Sequence, residues 1–146
     1  MEKPVIVCLC GSTKFKKEFI EANKRITLSG KIVLSVGMFG HQEGIDMNGP
    51  VKKMLDELHL RKIDLAGEVF VINPKVRRCT ICKKWWKWNP PPGNIGGWWC
   101  WVCDCHKEVG PLEKVPYEEA PYIGESTARE IEYATQQEKV ITYLEN

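Results

Sequence analysis

The hydrophobic positions of this chain change period in a regular order. Pro4-Val-Ile-Val-Cys-Leu-Cys10 is an almost unbroken apolar run stopped by Gly11, the pattern of a strand buried on both faces. Ser12 and Thr13 are helix-start residues. Phe15, Phe19, Ala22 and Ile26 then recur at helical spacing, and Ser29-Gly30 supplies a stop. Residues 31–36 predict a second strand. A glycine-rich loop over 37–49, containing Met38, Phe39 and His41, follows it. Pro50 fits the first turn of a second helix, with Val51, Leu55, Leu58 and Leu65 as its apolar stripe. Glu68-Val-Phe-Val-Ile72 predicts a third strand closed by Asn73-Pro74. The rhythm resumes at Gly124, with a helix over about 126–137 and a last strand over 139–144.

Strand and helix therefore alternate, which predicts an α/β fold of the Rossmann-like or flavodoxin-like kind. Helices would cover both faces of a parallel sheet of four or five strands in three α-β-α layers. The pattern assigns 1–74 and 121–146 to one discontinuous domain and 75–120 to an insert. In such sheets ligands bind beyond the carboxyl ends of the strands. Gly11-Ser12-Thr13, the 37–49 loop and the stretch into Gly124 and Ser126 are then the candidate binding loops. Ser12 and Thr13 offer hydroxyls and backbone amides suited to a sugar hydroxyl or a phosphate, or serve only as caps.

Composition narrows the setting. The 146 residues are 43% hydrophobic and 27% charged, with a formal charge of +2, which gives no bulk attraction to nucleic acid or membrane. No run approaches the roughly 18 apolar residues of a membrane helix, and Met1-Glu2-Lys3-Pro4 begins no apolar leader. A cytoplasmic protein is expected. The seven cysteines are an odd number, which argues against a closed disulfide framework. Cys8 and Cys10 read as small buried hydrophobes of the first strand.

The insert carries Cys79-x2-Cys82 and Cys100-x2-Cys103 with 17 residues between the pairs. Two such turns point four sulfurs at one ion, so these cysteines are expected to hold a structural Zn²⁺, with no cofactor needed for catalysis. Cys105 and His106 are alternative fourth ligands. All six tryptophans lie between Trp85 and Trp101. They form either the small module's core or a stacking surface, since Lys83, Lys84 and Lys87 alternate with Trp85, Trp86 and Trp88. Residues 76–108 hold six Lys/Arg against two acidic residues, an excess that zinc-bound thiolates largely cancel. Nucleic acid is the weaker expectation for this module, behind an oligomer contact or a lid.

A second chemical signal is Gly124-Glu-Ser-Thr-Ala-Arg-Glu-Ile-Glu-Tyr-Ala134. Thr127, Glu130 and Ala134 share one helix face near a helix N-terminus, where an ionised carboxylate is favoured. Thr127-x-x-Glu130 is equally a capping box. Asp64, and more weakly Asp56, could supply a second acidic group from the second helix.

Four segments together resemble the nucleoside 2-deoxyribosyltransferase-like family, particularly its short phage and bacterial versions. They are Leu9-Cys-Gly-Ser-Thr-Lys-Phe15, Val36-Gly-Met-Phe-Gly-His41, the stretch from Leu58 to Asn73, and Tyr122 to Ala134. The resemblance implies that Glu130 is the nucleophile and that the loop with Met38, Phe39 and His41 flanks the base. It also implies a homo-oligomer. The expected activity is cleavage or exchange of the N-glycosidic bond of 2′-deoxynucleosides or their 5′-monophosphates. Glu132 stands where the family carries a small glycine, and the insert directly precedes the nucleophile loop. Both departures leave a non-catalytic nucleotide sensor, or a zinc-dependent partner-binding protein, as the alternatives.

Overall fold

The computed structural model describes residues 2–39, 48–88, 98–99 and 117–145. In chain order the elements are β1 (Ile6–Gly11), α1 (Lys16–Leu28), β2 (Ile32–Leu34), α2 (Pro50–Leu65), β3 (Glu68–Ile72), β4 (Lys75–Cys79), β5 (Lys87–Trp88), β6 (Trp98–Trp99), β7 (Tyr117–Pro121), α3 (Glu125–Gln136) and β8 (Val140–Tyr143). They fall into two compact units, one of Met1–Pro74 with Ile123–Asn146 and one of Lys75–Tyr122. The sequence boundary at 75–120 stops one residue inside β7, which pairs with β4 through its last residue, Pro121.

The first unit is mixed α/β. Its four-stranded sheet has the order β2-β1-β3-β8, and every pair in it is parallel. Successive residues of a strand face opposite ways. Val7, Leu9, Phe70 and Ile72 accordingly pack with Phe19 and Ala22 of α1 on one face. Cys8, Cys10, Val69 and Val71 pack with Ile63 of α2 and Ala134 of α3 on the other. Helices on both faces explain why β1 and β3 are apolar almost throughout. Asn73 then ties the sheet end together: its amide donates to the Glu145 carbonyl at 3.0 Å and accepts from the Glu145 amide at 2.9 Å.

Three details differ from the sequence expectation. Ser12 and Thr13 do not start α1. The Phe15 amide donates to the Ser12 carbonyl at 3.1 Å and the Lys14 amide to Ser12 Oγ at 3.4 Å, so the segment is a turn closed by its own serine. The helix begins at Lys16. Second, Val51, Leu58 and Leu65 are exposed rather than core, at 44%, 47% and 70%. The buried face of α2 carries His59 and Ile63. Third, α3 starts at Glu125 with Gly124 as its cap, so Thr127 and Glu130 form no capping box.

Gly11 marks a close approach. A Cβ there would stand 2.8 Å from the Ile72 carbonyl oxygen and 2.9 Å from Ile72 Cβ, atoms of the neighbouring strand. Gly11→Ala is expected to destabilise the chain by about 2 kcal/mol, the usual cost of overpacking, read as a lower urea midpoint. An unchanged midpoint would show that β1 and β3 separate there without cost.

The second unit is built on a ribbon. β4 and β7 pair antiparallel, with Lys75 opposite Pro121 and Cys79 opposite Tyr117, and β5 pairs antiparallel with β6. Trp86 is buried and stands 5.0 Å from the Tyr117 ring, while Trp85 packs edge-on to Tyr122 at 5.1 Å. Trp86 thus takes the core role rather than a stacking surface. Lys83 and Arg78 both bind Glu118, at 3.1 and 2.6 Å. Among the described residues no helix is long and apolar enough to cross a membrane.

Candidate functional site

α2 and α3 lie on the same sheet face, and between them is a cavity of about 550 Å³. Its wall includes Pro50, Lys53, Met54 and Asp56 from α2, and Ser126, Arg129 and Glu130 from α3. The volume falls within the range of small-molecule pockets. Lys52 joins the two helices, its Nζ 2.7 Å from Asp56 Oδ2 and 2.9 Å from Ser126 Oγ.

Glu130 is the chemical centre of this wall. It is the sixth residue of α3, past the open amides of the first turn, and its side chain is only 12% exposed. Oε1 lies 4.0 Å from His59 Nε2, and Oε2 is buried with no hydrogen-bond partner among the described residues. Burial pushes the carboxyl up to about 7; Cys8 and Asp56 add to the rise, while His59 and a hydrogen bond with Cys10 oppose it. Burial thus works against the ionised form expected at the helix end.

Beneath Glu130 lie three groups that sequence reading did not join. His59 Nε2 is 3.6 Å from Cys8 Sγ and 3.4 Å from Cys10 Sγ. The donor atoms of Cys8, Cys10 and His59 all lie within 4.8 Å of one another, and the three residues could hold a metal ion. The Cys10 thiol beside it holds Cys8 down, to about 5, and the same contact pushes Cys10 well above the ordinary thiol range. Burial works against a charge on His59, but Cys8 and Glu130 outweigh it and raise the imidazole pKa.

The remaining sequence candidates disperse. Asp64 does not line the cavity. Eight residues beyond Asp56, it sits about 12 Å further along α2 at a rise of 1.5 Å per residue. There it accepts a 2.6 Å hydrogen bond from the Tyr133 hydroxyl and pairs with Arg61 at 3.1 Å. Asp56, the weaker candidate in sequence, shares the cavity wall with Glu130, as does Glu57. Phe39 packs against Phe19 at 5.7 Å, on the α1 face and so across the sheet from Glu130; Phe15 joins that same cluster. Met38, Gly11, Ser12 and Thr13 do not line the cavity, and His41 lies outside the described residues. Gly124 caps α3, and Ser126 stands on the cavity wall. Glu132 is exposed, so it does not crowd the pocket.

Half of the expected zinc knuckle is described. The Lys83 amide donates to the Cys79 carbonyl at 3.0 Å and the Ile81 amide to Cys79 Sγ at 3.4 Å; Lys83 takes φ +62°. This tight turn places amide density on a sulfur, which suits a metal-binding thiolate. Cys100, Cys103, Cys105 and His106 lie outside the described residues.

No family model, curated protein or solved structure matches the chain.

Proposed function

We propose that the chain cleaves or exchanges the N-glycosidic bond of 2′-deoxynucleosides or their 5′-monophosphates, with Glu130 as nucleophile. The observation that carries this reading is the largely buried carboxyl of Glu130, a residue that lines a nucleoside-sized cavity. In its ionised form a carboxylate oxygen of Glu130 attacks C1′. The C1′–N bond breaks as the new C1′–O bond forms, its electron pair leaves on the base nitrogen, and water supplies the base with a proton. Water or a second base then displaces Glu130 from C1′ and restores the carboxylate. Asp56 replaces Asp64 as the second acid, accepting from a sugar hydroxyl. Lys53 and Arg129 offer charge for a 5′-phosphate.

The strand order and the parallel pairing support a Rossmann-like framework for this chemistry. The Cys79 turn supports a structural Zn²⁺ held by Cys79, Cys82, Cys100 and Cys103. The family resemblance supports a homo-oligomer.

Incubation with deoxynucleosides, their monophosphates and an acceptor base, followed by chromatography, is expected to yield free base or a new nucleoside. Neither product from any substrate would refute the reading and leave a binding protein. Asp56→Asn is expected to lower kcat/KM by about 10²-fold, the usual share of one positioned acid, and Asp64→Asn to leave it within about twofold. The reverse ranking would return the second acid to Asp64.

A further inference from the structure

We infer that Cys8, Cys10 and His59, with Glu130 beside them, form a binding site for one zinc-class metal ion in the α/β unit, separate from the cysteines of the insert. Cys8 and Cys10 are two residues apart on β1, so both sulfurs emerge on the face covered by α2 and α3. His59 on α2 meets them there, and Glu130 enters from α3. β1 and α2 thus bring two sulfurs and one imidazole nitrogen within 4.8 Å of one another, and α3 sets a carboxylate oxygen 4.0 Å from that nitrogen.

Hydrogen bonds join parts of this cluster, Cys8 with Cys10 and Cys10 with Glu130, but they do not serve every contact of His59. His59 Nε2 stands 3.6 Å from Cys8 Sγ, 3.4 Å from Cys10 Sγ and 4.0 Å from Glu130 Oε1. One ring nitrogen has one proton or one lone pair, aimed in the ring plane, and satisfies one such neighbour well. A cation at the common centre of the two sulfurs and the ring nitrogen satisfies all three. In a tetrahedral zinc site, with metal–sulfur bonds of about 2.3 Å and metal–nitrogen bonds of about 2.0–2.1 Å, sulfur and nitrogen stand about 3.5–3.6 Å apart. The two observed separations match that spacing. Ile63, Val69 and Val71 pack in the same cluster and offer no polar side-chain atom, while the charge of Lys62 is felt at both Cys8 and His59. Glu130 is the second, independent indication: a nearly buried carboxylate whose Oε2 has no partner among the described residues. Two thiolates and an imidazole select a borderline or soft divalent ion over magnesium or calcium.

The test uses the full chain, stripped with chelator, kept reduced and titrated with Co²⁺, whose thiolate charge-transfer and visible bands report ligand type and stoichiometry. In Cys79→Ser/Cys82→Ser, where two ligands of the insert are gone, one equivalent is expected to bind with sulfur charge-transfer bands. No thiolate-bound Co²⁺ in that variant would overturn the site. Cys8→Ser/Cys10→Ser is expected to bind one equivalent fewer than the starting chain; an unchanged count in a folded variant would also overturn it. Should circular dichroism show that this double variant does not fold, His59→Gln is read the same way. It is expected to bind at least about 10–100-fold more weakly at this site, and unchanged affinity refutes the assignment. The inference does not rest on the glycosyl reading. Metal is counted without substrate, so an inactive chain that binds it and an active chain that does not are separate results.

Discussion

Glu130→Gln is expected to abolish glycosyl turnover, by at least about 10³-fold, in a protein that still folds. The substitution keeps the shape of the side chain and removes only the charge and the nucleophilic oxygen. The chemistry has no substitute for that oxygen among the residues that line the cavity. Asp56 is engaged by Lys52 at 2.7 Å, and Glu57 pairs with Arg61 at 3.5 Å. Chromatography of substrate and products reads the effect, and circular dichroism checks the fold. Turnover that survives the substitution would remove Glu130 from the mechanism, whatever else the cavity binds.

The same residue is expected to make stability fall with rising pH in the metal-free chain. The folded carboxyl titrates at about 7 against an ordinary value of 4.5, because burial disfavours its charge. Below pH 4.5 both folded and unfolded chains hold the proton, and burial of the neutral acid costs little. Between 4.5 and about 7 the unfolded chain has released a proton that the folded chain keeps, so unfolding gains with each step in pH. Above about 7 both are ionised and the loss is complete, at about 3 kcal/mol. Urea unfolding at pH 5 and pH 8, in chelator, should show the wild-type chain losing stability relative to Glu130→Gln over that interval. Parallel pH profiles for the two proteins would mean that the carboxyl is not desolvated.

How far the sequence reaches is clearest on α2. The alternation of apolar runs and helical spacing locates every element of the parallel sheet, because strands covered on both faces leave an unbroken apolar signature. Glu130 is legible too, through a short motif at the start of a helix. His59 is not. Val51, Leu58 and Leu65 look like the buried stripe of α2, yet they are exposed, and the helix turns a histidine toward the sheet instead. Its spacing to Ile63 and Ala66 is the helical signal that pointed inward. Cys8 and Cys10 are visible as a pair on one strand face, but the residue they meet is 51 and 49 positions away, and no local pattern encodes that meeting. Asp64 and Asp56 stand about 12 Å apart in height and about 80° apart in rotation on one helix, and which of them meets a site depends on which end of α2 faces the carboxyl edge of the sheet.

The pairing of Lys75 with Pro121 has a consequence for how this chain could have arisen. The entry and exit of the cysteine-bearing segment are register partners, one strand spacing of about 4.8 Å apart. A module whose two ends already touch can be grafted into a host loop at little cost in closure entropy, since the host experiences it as a tight bend regardless of its length. The peptide between Pro74 and Ile123 is therefore a natural site for exchange. A short hairpin spliced there would carry the main chain through the same bend, and other closed-ended modules could take the place of this one.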